Sequence, residues 1–479
     1  MKVKNSEYIA EKKPLLKALL SRLLEKYEYA SILACDSKAM RYSVSKRAGS
    51  TIAPDGVMTE RGFCVKIVDK GEAAEYSFNE IDEDSLNSIL TKIDGELLAL
   101  SKKLPDAVDE FKLDAGVLEG ESISFNKSTD YEEDPEELGD EGILSLLQGI
   151  SDKIAAYDER IIDTRATCQY QKYSKLFLSR NKDLQENIMW TCGAVIAMAS
   201  KGEEVQMSYK PVSCLGGSEI LKDLENNIEP ACRTAIELLD SETITPGEYD
   251  CICEPDVTGM IVHEAFGHGV EMDMFVKDRA LAKEYIGKYV ASPLITMHDG
   301  AATIPQVASF FFDDEGNIGT DTVIIDKGIL VSGICDSQSA AHLGFHATGN
   351  GRRESCERKA YTRMTNTIFE AGSSKVEDMI ASIDYGFMLC EASSGMEDPK
   401  NWGIQCMVTI AREIKDGKLT GKIFSPIVLT GYVPDLLKSI SMVSDEIKAG
   451  GSGACGKGYK EWVKVSDGGP YIKARIRLG

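Results

Sequence analysis

The sequence predicts an α+β protein, with an N-terminal mixed α/β domain of antiparallel strands and a β-rich C-terminal domain. Three observations predict it. The chain has 479 residues, too many for one ordinary core, so two or three structural units are expected. Its composition, 43% hydrophobic and 27% charged, is that of a globular protein. Its apolar pattern gives helix, then several strands, then helix, in place of a regular strand–helix alternation. We draw the division at residues 1–215 and 216–479, with a boundary region between about 210 and 250.

Residues 6–28 carry Leu15, Leu16, Leu19, Leu20, Leu23 and Leu24 on one helical face. Tyr29–Asp36 and Met40–Ala48 read as strands around a short polar turn, and Arg61–Asp69 and Glu72–Phe78 as a hairpin across Lys70-Gly71. Ile81–Leu104 is helical, and Lys112–Leu138 is weakly patterned. The acidic run Asp130–Gly142 reads as a solvated loop or helix start, and 141–156 as a helix. Ile161–Gln171, Lys175–Asn181, Asn187–Ser200 and Glu203–Lys210 form a meander separated by turn residues. A helix over Ser218–Ser241 is kinked or split at Pro230 and ends before Thr243–Gly247. Tyr249–Glu254 is a strand, and Asp256 is placed as the N-cap of the helix that follows. Hairpins are expected across Asp326-Lys327-Gly328 and Asp416-Gly417, with helices near Lys375–Ile383 and Asp435–Val443.

The net charge of -23 argues against binding a phosphate backbone or an anionic membrane, both of which need clustered Lys and Arg. The 13 cysteines show no framework spacing, the first residues are amphipathic and charged, and apolar runs are too short to span a bilayer. A reduced, cytoplasmic protein is expected, with most cysteines acting as small buried hydrophobes.

The chemistry centres on Asp256–Asp273, DVTGMIVHEAFGHGVEMD, which holds two of the five histidines, His263 and His268, with Glu264 after the first. A His-Glu pair followed by a second His offers two imidazoles to a metal and a carboxylate to the water it activates. The spacing is five residues, and five α-helical steps turn the second ring roughly 140° away from the first. Convergence on one ion therefore requires a π-bulge or a helix end near Gly267. Two histidines leave the metal short of a ligand. Candidates for the third are Glu271, Asp273, His298, His342, His346 or a cysteine. Cys455 stands out within the glycine-rich GGSGACGKGY, where neighbouring Lys457 would favour its thiolate. Arg352 and Arg353, in the glycine-rich loop Gly349–Ser355, are candidates for holding a substrate carboxylate or polarising a carbonyl.

Five segments in order are similar to a known family: HEAFGHGVEMD at His263–Asp273, DDEGN at Asp313–Asn317, TGNGRRES at Thr348–Ser355, RMTNT at Arg363–Thr367 and CGKGY at Cys455–Tyr459. The chain resembles the TldD-like catalytic branch of the TldD/PmbA metalloproteases, which have also been labelled modulators of DNA gyrase. The resemblance implies a metal held by His263, His268 and Cys455, zinc with iron as the alternative, and Glu264 as general base. It also implies a homodimer, or a heterodimer with a PmbA-like subunit, enclosing a cavity. The expected function is a metal-dependent peptidase acting on short or unfolded peptides, without direct nucleic-acid or membrane partners. The alternatives are a modulator with a structural metal and a small-amide hydrolase.

Overall fold

The structure is a computed structural model that describes residues 1–103, 113–458 and 460–479. The expected helix end at Leu104, the segment start at Lys112, and Tyr459 of the last motif lie outside the described residues.

The first helix, Glu7–Leu24, begins at Ser6, whose side chain accepts the Ile9 N–H, and it buries Leu16, Leu19, Leu20 and Leu23. It covers an eight-stranded sheet built from β1 (Tyr29–Ser45), β2 (Gly49–Pro54), β3 (Glu60–Asp69), β4 (Glu72–Phe78), β5 (Ile123–Ser128), β6 (Ile161–Leu178), β7 (Lys182–Lys201) and β8 (Glu204–Cys214). The sheet runs β4-β3-β1-β6-β7-β5, with β2 on β1 and β8 on β7, and only β5–β7 is parallel among the described pairs. Two expected interruptions do not exist. β1 runs straight through Ser37 and Lys38, and β6 through Lys172 and Tyr173, because these stretches pair with each other, Ser37 opposite Tyr173 and Lys38 opposite Lys172. Continuous ladder pairing outweighs the turn preference of a few polar residues.

The acidic run is a helix start. Asp134 caps Pro135–Ala155, a segment broken by Gly139 at φ 72°. Beyond residue 215 the helix expected to kink or split at Pro230 is three pieces, with the first break before Ile228: a 3-10 stretch at Ser218–Asn227, an α-helix at Ile228–Glu237 and a short 3-10 turn at Leu238–Asp240. Pro230 lies in the first turn of the α-helix, where its missing N–H has no helical partner to lose. Leu221, Leu224, Ala231, Cys232 and Ala235 pack with Ile143, Val195 and Ala197, so this helical stretch lies on the N-terminal sheet.

In the C-terminal part, strands Gly247–Cys253, Tyr385–Asp398, Gly403–Lys415, Ile427–Tyr432 and Ile472–Leu478 pair in a closed ring. A six-stranded sheet stands beside it and includes Asn366–Phe369 and Ser466–Gly469. Both expected hairpins form, with Lys327 and Gly328, and Asp416 and Gly417, all at positive φ. The helix Pro255–Val262 packs between the ring and the six-stranded sheet, touching strands of both.

Buried ion pairs join the N-terminal sheet to two of the motif loops. Lys66 of β3 meets Glu315 at 2.9 Å, Lys175 of β6 meets Asp314 at 2.5 Å, and Arg353 forms a double contact with Glu75 of β4 at 2.6 and 2.9 Å. Breaking a buried pair on one side strands the other charge. Lys66→Met is expected to lower stability by about 3–5 kcal/mol, read as a shift in the denaturant midpoint, with Lys66→Met/Glu315→Leu recovering part of the loss.

Candidate metal centre

The helix Pro255–Val262 opens with Pro255 in its first turn and Glu254 at the N-cap. Asp256, the expected cap, instead accepts the N–H of Ala392 at 3.0 Å and ties the helix start to the strand Tyr385–Asp398. At His263 the helix widens into a π turn, His263–Gly267, and then tightens into a 3-10 turn, His268–Val270. A π turn joins residues five apart, which brings His263 and His268 onto one face. Their ring centroids are 5.3 Å apart and nearly perpendicular. Gly267 is required here: a Cβ would overlap Met364 Sδ.

The third group arrives from residue 455. The hairpin of Ala454–Lys457 and Lys460–Lys464 sets Cys455 opposite Val463. Cys455 Sγ lies 3.3 Å from His263 Nε2 and 3.2 Å from His268 Nε2, and the three donor atoms all lie within 4.8 Å of one another. Burial raises the thiol pKa, but hydrogen bonds from both imidazoles and their charges outweigh it and bring Cys455 down to about 5. The same contacts raise both histidines against burial, His268 well above its ordinary value.

The remaining sequence candidates divide. Glu271 accepts from Arg363 Nε at 3.2 Å and Lys457 Nζ at 3.0 Å, and lies 3.4 Å from His268 Nδ1. Glu271 is therefore the orienting partner of a donor histidine, an arrangement that fixes a ring and raises its basicity. Burial opposes its charge, but Lys457, His268 and Arg363 hold it well below the usual carboxylate range. Asp273 binds Lys457 at 2.7 Å. Lys457 thus points to carboxylates, and the cation at the thiol is Arg363, fully buried, whose Nη2 donates to Sγ at 3.0 Å. His298 bridges Asp321 and Glu370, and neither it, His342 nor His346 belongs to the donor cluster.

Glu264 is half-buried beside the two histidines, and burial raises its pKa. Gly395 makes room for it, since a Cβ there would collide with Glu264 Cγ. Two residues on, Glu397 lies against Gly269, and burial raises its carboxyl well above the usual range. Sequence reasoning missed Glu397, which sits in a strand with no motif of its own. Arg353 is committed to Glu75, while Arg352 donates to the Met364 carbonyl at 2.7 Å and stacks over Phe310.

A second donor group, Cys35, Glu60 and Cys356, also converges. Its thiols and carboxyl are all shifted upward, with hydrogen bonding between the thiols and burial responsible for Cys35. Those shifts favour neutral forms. The His263–His268–Cys455 cluster is polarised toward the thiolate a metal needs, and two imidazoles with one thiolate fit zinc or iron chemistry.

Residues 246–476 match the PmbA/TldA metallopeptidase C-terminal domain. The C-terminal half of the chain thus carries a metallopeptidase domain of the PmbA/TldD type. It is 29% identical over 444 residues to a metalloprotease TldD homolog of Buchnera aphidicola, covering 88% of this chain and 87% of that protein. It is 34% identical over 244 residues to the TldD homolog of Haemophilus influenzae, about half of each chain (51% and 50%). Two solved structures share the fold. One is described as a candidate modulator of a DNA gyrase from Thermotoga maritima, with a TM-score of 0.76 and 16% identity over 98% of this chain and 100% of that one. The other is TldE from Thermococcus kodakarensis, with a TM-score of 0.72 and 15% identity over 97% of this chain and 99% of that one.

The cluster of His263, His268 and Cys455 makes a direct prediction. In chelator-treated protein, one thiolate absorbing near 240 nm is expected at pH 7. It should disappear as pH falls through about 5 and be missing from Cys455→Ser.

Proposed function

We propose that the chain hydrolyses peptide bonds in short or unfolded peptides, with His263, His268 and Cys455 holding one zinc ion and Glu264 acting as general base. The observation that carries this reading is the convergence of three donors, and no fourth, among the described residues. A purely structural site is closed by four protein ligands, whereas a catalytic one keeps a position open. When bound, the ion supplies Lewis acidity at that open position, acidifying water and polarising a carbonyl.

The residues of the chain do the rest. Glu264, adjacent in sequence to His263 and raised in pKa by burial, takes the proton of the attacking water and returns it to the leaving amine. Arg363 and Glu271 hold Cys455 and His268 in place. Glu397, whose carboxyl is buried against Gly269 and raised well above the usual range, supports the backbone of the motif there.

The protein is proposed to pair with itself or with a PmbA-like subunit, a reading supported by its likeness to TldE and by exposed Val205, Met207 and Tyr209 along edge strand β8. Its N-terminal unit is proposed to extend through Asp240, on the packing of the helical stretch. Thirteen free cysteines support a reducing, cytoplasmic setting. No helix among the described residues is long and apolar enough to cross a membrane.

Two measurements test the mechanism. Glu264→Gln is expected to keep about one zinc per chain by metal analysis and to lose on the order of 10²–10⁴ in kcat/KM on a peptide library; full activity with zinc retained would overturn the general-base role. Because the base works deprotonated and burial raises Glu264 above 4.5, kcat/KM should fall as pH drops through that raised value and level off above it.

A further inference from the structure

A cleft of about 100 Å³ lies between the N-terminal sheet and the C-terminal part, lined by Tyr173 and Trp190 on one side and Phe310, Arg352, Trp462 and Lys464 on the other. Most charges at its walls are matched. Lys175 is paired with Asp314, Arg353 with Glu75, and Glu354 with Arg358 at 3.7 Å. Two cations are not. Among the described residues neither Arg352 nor Lys464 has a carboxylate within ion-pair distance, although Lys464 is only 7% exposed. Arg352 has one backbone carbonyl, that of Met364 at 2.7 Å, and the Phe310 ring. Lys464 has the Ser452 carbonyl at 3.1 Å, the Cys192 sulfur at 3.9 Å and the Trp190 ring at 4.7 Å. The cleft's own unmatched carboxyl, Glu60, is turned to the Cys356 N–H at 2.9 Å and pairs with neither cation.

Buried cations are normally paired, because desolvation of a lone charge costs several kcal/mol. Burial lowers the pKa of both groups here, and the more distant carboxylates that oppose it, Asp314 for Arg352 and Asp55 for Lys464, do not outweigh it. The position of the cleft also matters. Lys464 follows Val463, the register partner of Cys455. Arg352 is bonded to Met364, the residue after Arg363, which itself contacts Cys455 Sγ. The cleft is thus linked to the candidate centre through the 454–464 hairpin and through Met364, while none of His263, Glu264, His268 or Cys455 lines it.

We propose that this cleft is a carboxylate-binding subsite in which Arg352 and Lys464 hold a substrate carboxylate, so that the enzyme selects peptides that present one. An aromatic floor with two flanking cations suits a planar anion, with the Arg352 fork able to bind it in bidentate fashion. The carboxylate has two sources, the C-terminus of a peptide or an Asp or Glu side chain. The inference rests on the peptidase reading for its peptide, and not for its carboxylate.

The test measures binding, by calorimetry and by the fluorescence of the cleft tryptophans, to unsubstituted and Glu264→Gln proteins. The probes are N-acetyl-Ala-Ala-Ala, its C-terminal amide, and N-acetyl-Ala-Glu-Ala amide. At least one carboxylate-bearing peptide is expected to bind tenfold or more tightly than the fully neutral amide. Preference for the first assigns the terminus, and preference for the third assigns the side chain. Lys464→Met and Arg352→Gln are each expected to remove the discrimination. The acid–amide comparison on unsubstituted protein decides the matter even if a variant misfolds. Equal binding of all three, or no binding of either acid, overturns the subsite. Discrimination without any cleavage would leave the subsite standing and sink the peptidase reading, and cleavage without discrimination would do the reverse.

Discussion

A single buried guanidinium connects the parts of the candidate centre. Arg363 touches Cys455 Sγ, the Glu271 carboxylate and the Glu461 carbonyl, and so joins the thiol hairpin to the carboxylate that orients His268. Its backbone is fixed in turn: Asn350 accepts its N–H and donates to its carbonyl. Asn350 belongs to the loop whose Gly351 and Arg353 N–H groups bind Asp313 and Asp314. Those acidic residues sit in the loop that meets Lys66 and Lys175 of the N-terminal sheet. The motifs are therefore one connected polar network, in which removing one member of a buried ion pair exposes the other to an uncompensated desolvation cost.

The bend in the metal-motif helix was legible in sequence because it follows from geometry alone: five residues between histidines cannot share a face of an α-helix, and Gly267 marks where the backbone can depart. Cys455 was not derivable that way. It lies 187 residues from His268, and nothing local encodes a contact at that separation; only the ordered set of family segments pointed to it. Lys457 was recognised as relevant but placed on the wrong partner, since sequence adjacency to a cysteine does not reveal which way a side chain turns in a hairpin.

The fold shows the same division. Hairpins closed by Lys70-Gly71 or Asp416-Gly417 were readable because the turn chemistry is local. The length of β1 and β6 was not, because each is carried across its polar middle by the other. Arg353, a candidate in sequence for holding a substrate carboxylate, is paired instead with Glu75 across the seam. Its neighbour Arg352 meets the Met364 carbonyl and the Phe310 ring, and the carboxylate role is proposed for it alone of the two. Glu397 had no signal at all: its significance comes from burial against Gly269, which only the folded chain provides.

The separation of the donors has a consequence for the newly made protein. Ribosomes add about 5–20 residues per second, so roughly 10 to 40 s pass between synthesis of His268 and synthesis of its thiol partner. Throughout that interval the nascent chain carries Glu264 and both imidazoles without the sulfur, and an unassembled centre cannot attack its own unfolded segments or those of neighbouring chains. On the proposed ligand set, placing the last donor on a late hairpin defers competence for hydrolysis until that hairpin has formed.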